Sequence, residues 1–147
     1  MTGSRRRIAV VTGSRADYGL LRGILTRLKA ADDIELSVIA CGMHLVPRFG
    51  ETWRIIEADG FPIAAKIDLK LDDDRAETVA RGTGIGVSGF AEALAQLKPD
   101  ILVVLGDRYE ILAASVAPDT GEISNTFLAG QSTGAEVSPW EDISCFE

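Results

Sequence analysis

The chain has 147 residues, 46% of them apolar and 25% charged, with a formal net charge of −7. That length and balance fit one domain with a real core and argue against disorder, and the acidic total argues against non-specific nucleic-acid binding. One histidine (His44) and two cysteines (Cys41 and Cys145) supply neither a zinc cluster nor a disulfide framework, and no apolar run nears the ~18 residues of a membrane span.

A reducing cytoplasm is therefore the expected setting, with no membrane and no nucleic-acid partner. An anionic ligand stays open through a local pocket of arginines and backbone amides. The opening "MTGSRRRIAVV" places basic residues before an apolar run of about four residues that enters a glycine turn. That is a strand, not a secretion signal.

"IAVV" (8–11) is a short continuous apolar run, as expected of a strand covered on both faces. Leu21, Ile24, Leu25 and Leu28 then give the i, i+3, i+4, i+7 stripe of a helix packed on a sheet. "IELSVIA" (34–40) reads as a second strand running into "CGMHL". Phe49, Trp53 and Ile56 mark a second helix, closed by Gly60 and followed by Pro62. "IAAKI" (63–67) is a weaker third strand.

The acidic linker "DLKLDDD" leads to a helix over about 75–97, with Val87, Phe90, Leu94 and Leu97 at helical spacing. Gly82, Gly84, Gly86 and Gly89 weaken its first half, each costing roughly 1 kcal/mol against alanine, unless another backbone or a ligand comes close there. "ILVVL" (101–105) is the clearest buried strand, and "GDRYEILAASV" turns from it into a fourth helix. This alternation predicts an α/β fold: a Rossmann-like parallel sheet with right-handed crossovers and helices on both faces.

After Ala117 the pattern changes. Residues 118–147 are rich in Pro, Gly, Ser and Thr, and only "ISNTFLAG" could be a short strand. The expected division is a Rossmann-like part over 1–117, with the sheet stopping at its fourth strand, and an irregular tail over 118–147.

In open α/β sheets a ligand lies beyond the carboxyl ends of the strands, where strand order reverses. For the order 3-2-1-4 the two turns facing that crevice are "GSRADYG" and "GDRYE", and both carry Gly, Arg and Asp. In the first, Ser14 and Asp17 are spaced as a capping box, and Arg15 is either a solvated cation or an anion contact. A cation in a first helical turn opposes the helix dipole, whereas a phosphate there would be held by amides and guanidinium together. Neither of these two turns has the G-x-G-x-x-G pattern or a Walker lysine, which argues against dinucleotides and ATP hydrolysis.

Asp107 likewise has two readings, a helix cap paired with Glu110 or a carboxylate poised for proton transfer, with Arg108 as a second anion contact. His44 is either a polar loop residue or a substrate contact. Asp72 to Asp74 read as a solvated linker in which Asp74 and Glu77 are spaced as a capping box, and no metal is expected there.

"VVTGSRADYGLL", "GMHLVPRFGETWRIIEADGF" and "LKPDILVVLGDRYEILAA" together closely resemble the hydrolysing UDP-N-acetylglucosamine 2-epimerases over about residues 8–117. That family makes N-acetylmannosamine for sialic acid, with relatives acting on diacetamido sugars for legionaminic-type acids. The resemblance implies two Rossmann-like domains of the GT-B type with the UDP-sugar between them, so that this chain carries part of the first. It puts Arg15 and Ala16 on the nucleotide-sugar site, with Gly19 lining it and Arg108 as a further contact. Asp107 matches a carboxylate required for activity, and His44 a histidine near the substrate.

The implied reaction eliminates UDP across carbons 1 and 2 and then adds water to the acetamido-glycal, without cofactor or metal. A base must take the carbon-2 proton, and the departing diphosphate needs cationic stabilisation. A homo-oligomer is compatible with the family. The tail departs from it: "AGQSTGAEVS" only faintly echoes a His-Gly-Gly-Glu type loop, and Glu136 does not equate with a family acid. The alternatives are a GT-B glycosyltransferase, which would need an acceptor sugar, and a non-catalytic nucleotide-sugar-binding module.

Overall fold

Alternation along the first strand sets up the two layers. In the computed structural model, which describes residues 5–117 and 124–128, β1 runs Arg6–Thr12. Ile8 and Val10 point to one face, where they pack with Tyr18, Leu21 and Leu25 of α1 (Arg15–Ala30). Ala9 and Val11 point to the other, against Phe90 and Leu94 of α3 (Ala76–Leu97). A strand buried on both faces must be apolar at successive positions, which is why its sequence shows a continuous run.

The remaining elements are β2 (Ile34–Cys41), α2 (Trp53–Ala58), β3 (Ile63–Ile67), β4 (Ile101–Leu105), α4 (Tyr109–Val116) and β5 (Ser124–Leu128). All five strands are parallel, in the order β3-β2-β1-β4-β5. Strand order thus reverses between β1 and β4, as the Rossmann-like reading requires. Side chains of α1 and α2 pack in one core cluster, and those of α3 and α4 in the other. Asp100 ties the start of β4 to β1, its carboxylate accepting from the Arg7 amide at 2.7 Å. No helix among the described residues is long and apolar enough to cross a membrane.

Three expectations need correction. The sheet does not stop at its fourth strand: 124–128, expected within an irregular tail, pair in parallel with β4 from Ile101↔Ser124 to Leu105↔Leu128. The strand lies within "ISNTFLAG", the one stretch of the tail that could be a short strand, and is five residues long. The rest of the tail lies outside the described residues. Phe49 is not in the second helix but in a 3-10 turn, Pro47–Phe49, cut off from α2 by Gly50 at φ +85°. Finally, Asp74 does not cap α3. It pairs with Arg48 at 2.8 Å, while Asp73 accepts the Arg75 amide and Nε at 3.0 and 2.7 Å.

The glycines of α3 divide by face. A Cβ on Gly82 would lie 2.8 Å from the Leu69 carbonyl oxygen, one on Gly86 2.8 Å from Leu69 Cδ2, and one on Gly89 2.7 Å from Ile67 Cγ2. These glycines let the helix sit close on the end of β3 and the segment after it. Gly84 meets nothing within 4 Å. Gly84→Ala should therefore stabilise by about 0.5–1 kcal/mol through helix propensity, and Gly82→Ala should destabilise by about 1–3 kcal/mol through overpacking. Urea denaturation of the two variants checks this. The same sign for both would show that the helix does not lie so close.

Candidate functional site

The site begins where β1 ends. Ser14 caps α1, its Oγ accepting the Asp17 amide at 3.3 Å, and Asp17 Oδ2 accepts the Gly13 amide at 3.2 Å. The expected capping pair forms, with its return bond one residue early. Beyond it Arg15, Ala16 and Gly19 are all exposed, and their spacing puts them on one face of the first turns. Arg15 has no hydrogen-bond or ion-pair partner among the described residues. The amides of Arg15 and Ala16 belong to the first turn and have no acceptor within the helix. Amides at a helix start beside an unpaired guanidinium suit a phosphate.

The second turn follows β4, the neighbour of β1. Gly106 turns the chain at φ +88°. Helix α4 then starts at Tyr109 with Arg108 in the cap position and no side-chain cap bond. Asp107 is therefore not the cap. It lies exposed one residue too early, without a hydrogen-bond partner among the described residues. Arg108 is half-buried: its Nε donates to Glu110 Oε1 at 2.6 Å, and its Nη2 lies 3.2 Å from Met43 Sδ. Burial alone would lower the Arg108 pKa, but the Glu110 carboxylate beside it holds it raised.

Glu110 joins the two turns. It is fully buried, and a Cβ on Gly13 would lie 2.6 Å from both its Cγ and its Oε1. A Cβ on Gly42, at φ +56°, would come within 3.8 Å of its Cδ and 3.3 Å of the Gly13 carbonyl oxygen. The turns after β1, β2 and β4 thus close on one carboxylate, and only glycine fits over it at position 13. Beside Arg108 opens a cleft of about 240 Å³, lined in part by Met43, Arg48, Phe49 and Tyr109. Among the described residues no group of three or more His, Cys, Asp or Glu is placed to hold a metal.

His44, read from sequence as a polar loop residue or a substrate contact, is fully buried behind these turns. Its Nε2 pairs with Thr12 Oγ1 at 2.9 Å and its Nδ1 with Thr52 Oγ1 at 2.7 Å. Thr12 Oγ1 also lies 3.4 Å from the Ser14 carbonyl oxygen, to which its hydroxyl donates. Each hydroxyl finds an acceptor when Nε2–H donates to Thr12 and Thr52 donates to Nδ1, which makes the ring neutral. Burial pushes the His44 pKa down to about 4, partly opposed by Asp17 and the Ser14 backbone.

The folded value lies below the ordinary value near 6.5, so His44 contributes fully above about pH 6.5 and its contribution is lost as pH falls toward 4. The loss at pH 4.5 should be about 2.5 kcal/mol. Urea unfolding at pH 7 and pH 4.5 should show a smaller acid loss in His44→Gln than in the wild type. Equal acid losses would mean that His44 is not the titrating group.

Of the residues singled out from sequence, five stand exposed or half-buried at the ends of adjacent strands: Arg15, Ala16 and Gly19 after β1, and Asp107 and Arg108 after β4. His44 is set behind them. Glu110 was missed as a site residue because its spacing from Asp107 reads as a capping box. The signal that could have found it is a carboxylate among the apolar neighbours "YEILAA".

The chain is similar to known proteins in sequence and in fold. The family model described as UDP-N-acetylglucosamine 2-epimerase matches residues 26–128. A UDP-N,N'-diacetylbacillosamine 2-epimerase (hydrolyzing) of Legionella pneumophila is 43% identical over 112 residues, covering 76% of this chain and 30% of that protein. A GDP/UDP-N,N'-diacetylbacillosamine 2-epimerase (hydrolyzing) of Campylobacter jejuni is 38% identical over 76% of this chain and 29% of its own length. In fold, the chain matches the crystal structure of UDP-GlcNAc 2-epimerase from Neisseria meningitidis bound to UDP-GlcNAc, with TM-score 0.67 and 17% identity, over 82% of this chain and 31% of that one. The chain spans about 30% of the length of the curated relatives it matches. The family match covers most of the sequence, including the turn after β4 and the fifth strand but not the turn after β1, and the chain belongs to the UDP-N-acetylglucosamine 2-epimerase family.

Proposed function

We propose that this chain supplies one wall of a UDP-sugar site in a hydrolysing 2-epimerase. The observation that carries the reading is the pair of Gly-Arg-Asp turns at the carboxyl ends of adjacent parallel strands, joined through the buried Glu110. Arg15, with the first-turn amides of α1, takes the diphosphate, Arg108 is its second cation, and the sugar runs past Ala16 and Gly19. Asp107 is the proton-transfer group for carbon 2. UDP leaves as carbon 2 loses its proton, and water adds to the resulting glycal. Two cations near the leaving group stabilise the charge that develops on it. The substrate class is a UDP-linked 2-acetamido sugar, with UDP-GlcNAc and UDP-N,N'-diacetylbacillosamine the first to test, because relatives are named for these sugars.

Turnover needs the part of the fold that the relatives have and this chain does not span. The first domain extends at least to β5, since the family match and the sheet both reach 128. The test is a chimera that continues after Leu128 with the rest of the Legionella pneumophila relative, assayed for UDP release. Release without any acceptor sugar is the expected result. Release only with an acceptor would mean a glycosyltransferase. Tight UDP binding with no release from either sugar would mean a binding module, the reading favoured if the chain works at about 30% of its relatives' length.

A further inference from the structure

We propose that Glu110 is a positioning residue for Arg108: it grips the guanidinium by Nε and so leaves the terminal nitrogens to the ligand's diphosphate. The inference rests on the UDP-sugar reading of the crevice and adds a residue to it. The ion pair is lopsided. The Arg108 side chain is 40% exposed and the Glu110 side chain 0%, with the two atoms 2.6 Å apart. Arg108 can reach water in any case, so Glu110 alone bears the cost of leaving it.

Its second oxygen, Oε2, is buried with no hydrogen-bond partner among the described residues, which adds to that cost. A carboxylate in that position is a poor device for stability. Its position makes sense as a fixed point for the arginine. Gly13 and Gly42 close over it, so it cannot swing away, and the turns after β1 and β2 are set by its volume. On the arginine, Nε is engaged by Glu110, whereas Nη2 lies against the Met43 thioether, a weak acceptor that a phosphate oxygen would outbid, and the Tyr109 side chain also interacts with the guanidinium. The guanidinium is thereby oriented before the ligand arrives, which lowers the ordering cost of binding.

The test measures the dissociation constant for UDP by NMR titration in the wild type, Glu110→Gln, Arg108→Ala and the double variant, with unfolding temperatures for each. Glu110→Gln should weaken UDP roughly ten-fold, about the size of one charge-assisted hydrogen bond. Arg108→Ala should do about the same, and the double variant should be no weaker than Arg108→Ala. The unfolding temperature of Glu110→Gln should be no lower than that of the wild type. The Arg108 Nε–H resonance should be visible and slowly exchanging in the wild type and lost in Glu110→Gln, with or without UDP.

Wild-type affinity in Glu110→Gln, or a further loss in the double variant, would overturn the proposal. So would weaker binding that comes with a lower unfolding temperature, since that is what a merely structural carboxylate gives. Arg15→Ala separates the two levels. If UDP binding does not depend on Arg15, the UDP-sugar reading fails and this proposal with it. If it does, and Glu110→Gln binds normally, only the role of Glu110 fails.

Discussion

Asp107→Asn, made in the chimera described above, should lower UDP release about 100-fold or more while leaving the unfolding temperature within about a degree of the parent. Proton transfer from carbon 2 needs an ionisable group, and asparagine keeps the size of aspartate without its basicity. The two readings of this residue made from sequence differed in what they would lose. A cap would tolerate asparagine, because Asn caps helices about as well as Asp. The structure removes the cap from consideration: α4 starts two residues after Asp107, with Arg108 in the cap position and no side-chain cap bond. Stability is therefore expected to be indifferent to the change, and activity is the informative measurement. Release at near-parental rate would show that another acid carries the chemistry.

Arg15→Ala should remove the rise in unfolding temperature that UDP gives the chain, and Asp73→Asn should keep it. Arg15 is exposed at the first position of α1 without a partner among the described residues, so its loss breaks nothing in the free protein. The cost falls on the complex, where one guanidinium on a diphosphate is worth about 2–3 kcal/mol, or roughly 30- to 150-fold in affinity. Asp73 is engaged with Arg75 at 2.7 Å, at the start of α3; it lines the cleft beside Arg108 but is assigned no contact with the diphosphate. Its low pKa, held down by the Thr78 hydroxyl and the Arg75 amide, marks a local structural role. Equal losses in both variants would count against the crevice. A loss in Asp73→Asn alone would move the ligand to the acidic segment.

The buried strands were legible because a strand covered on both faces needs apolar residues at every position. "ILVVL" coincides with β4 to the residue, and so does "IAAKI" with β3, although that edge strand leaves Ala64 and Lys66 exposed. The order 3-2-1-4, taken from the Rossmann-like layout, is the order of the first four strands, and with it the two turns that meet at the crevice are placed. Where a turn's geometry depended on tertiary contacts, the sequence misled. "DRYE" has the spacing of a capping box, yet its glutamate turns inward to take the Arg108 side chain rather than a backbone amide. No local pattern tells those outcomes apart, since the difference lies in Gly13 and Gly42, which come from other strands. His44 carried two readings from sequence, a polar loop residue and a substrate contact. A histidine at a strand end reads as available, and only the hydroxyls of Thr12 and Thr52, 32 and 8 residues away, show that both nitrogens are used. β5 was visible only as the possible short strand "ISNTFLAG"; its pairing with β4 was not.

That UDP sits across the ends of β1 and β4 is tested most directly by an amide NMR titration of the isotopically labelled chain. At millimolar UDP the largest shifts should fall on Arg15, Ala16, Gly19, Gly106, Asp107 and Arg108, with little change on β3 or on the far end of α3. Shifts concentrated there instead, or no shift at any residue at ten-millimolar UDP, would contradict the assignment of this crevice.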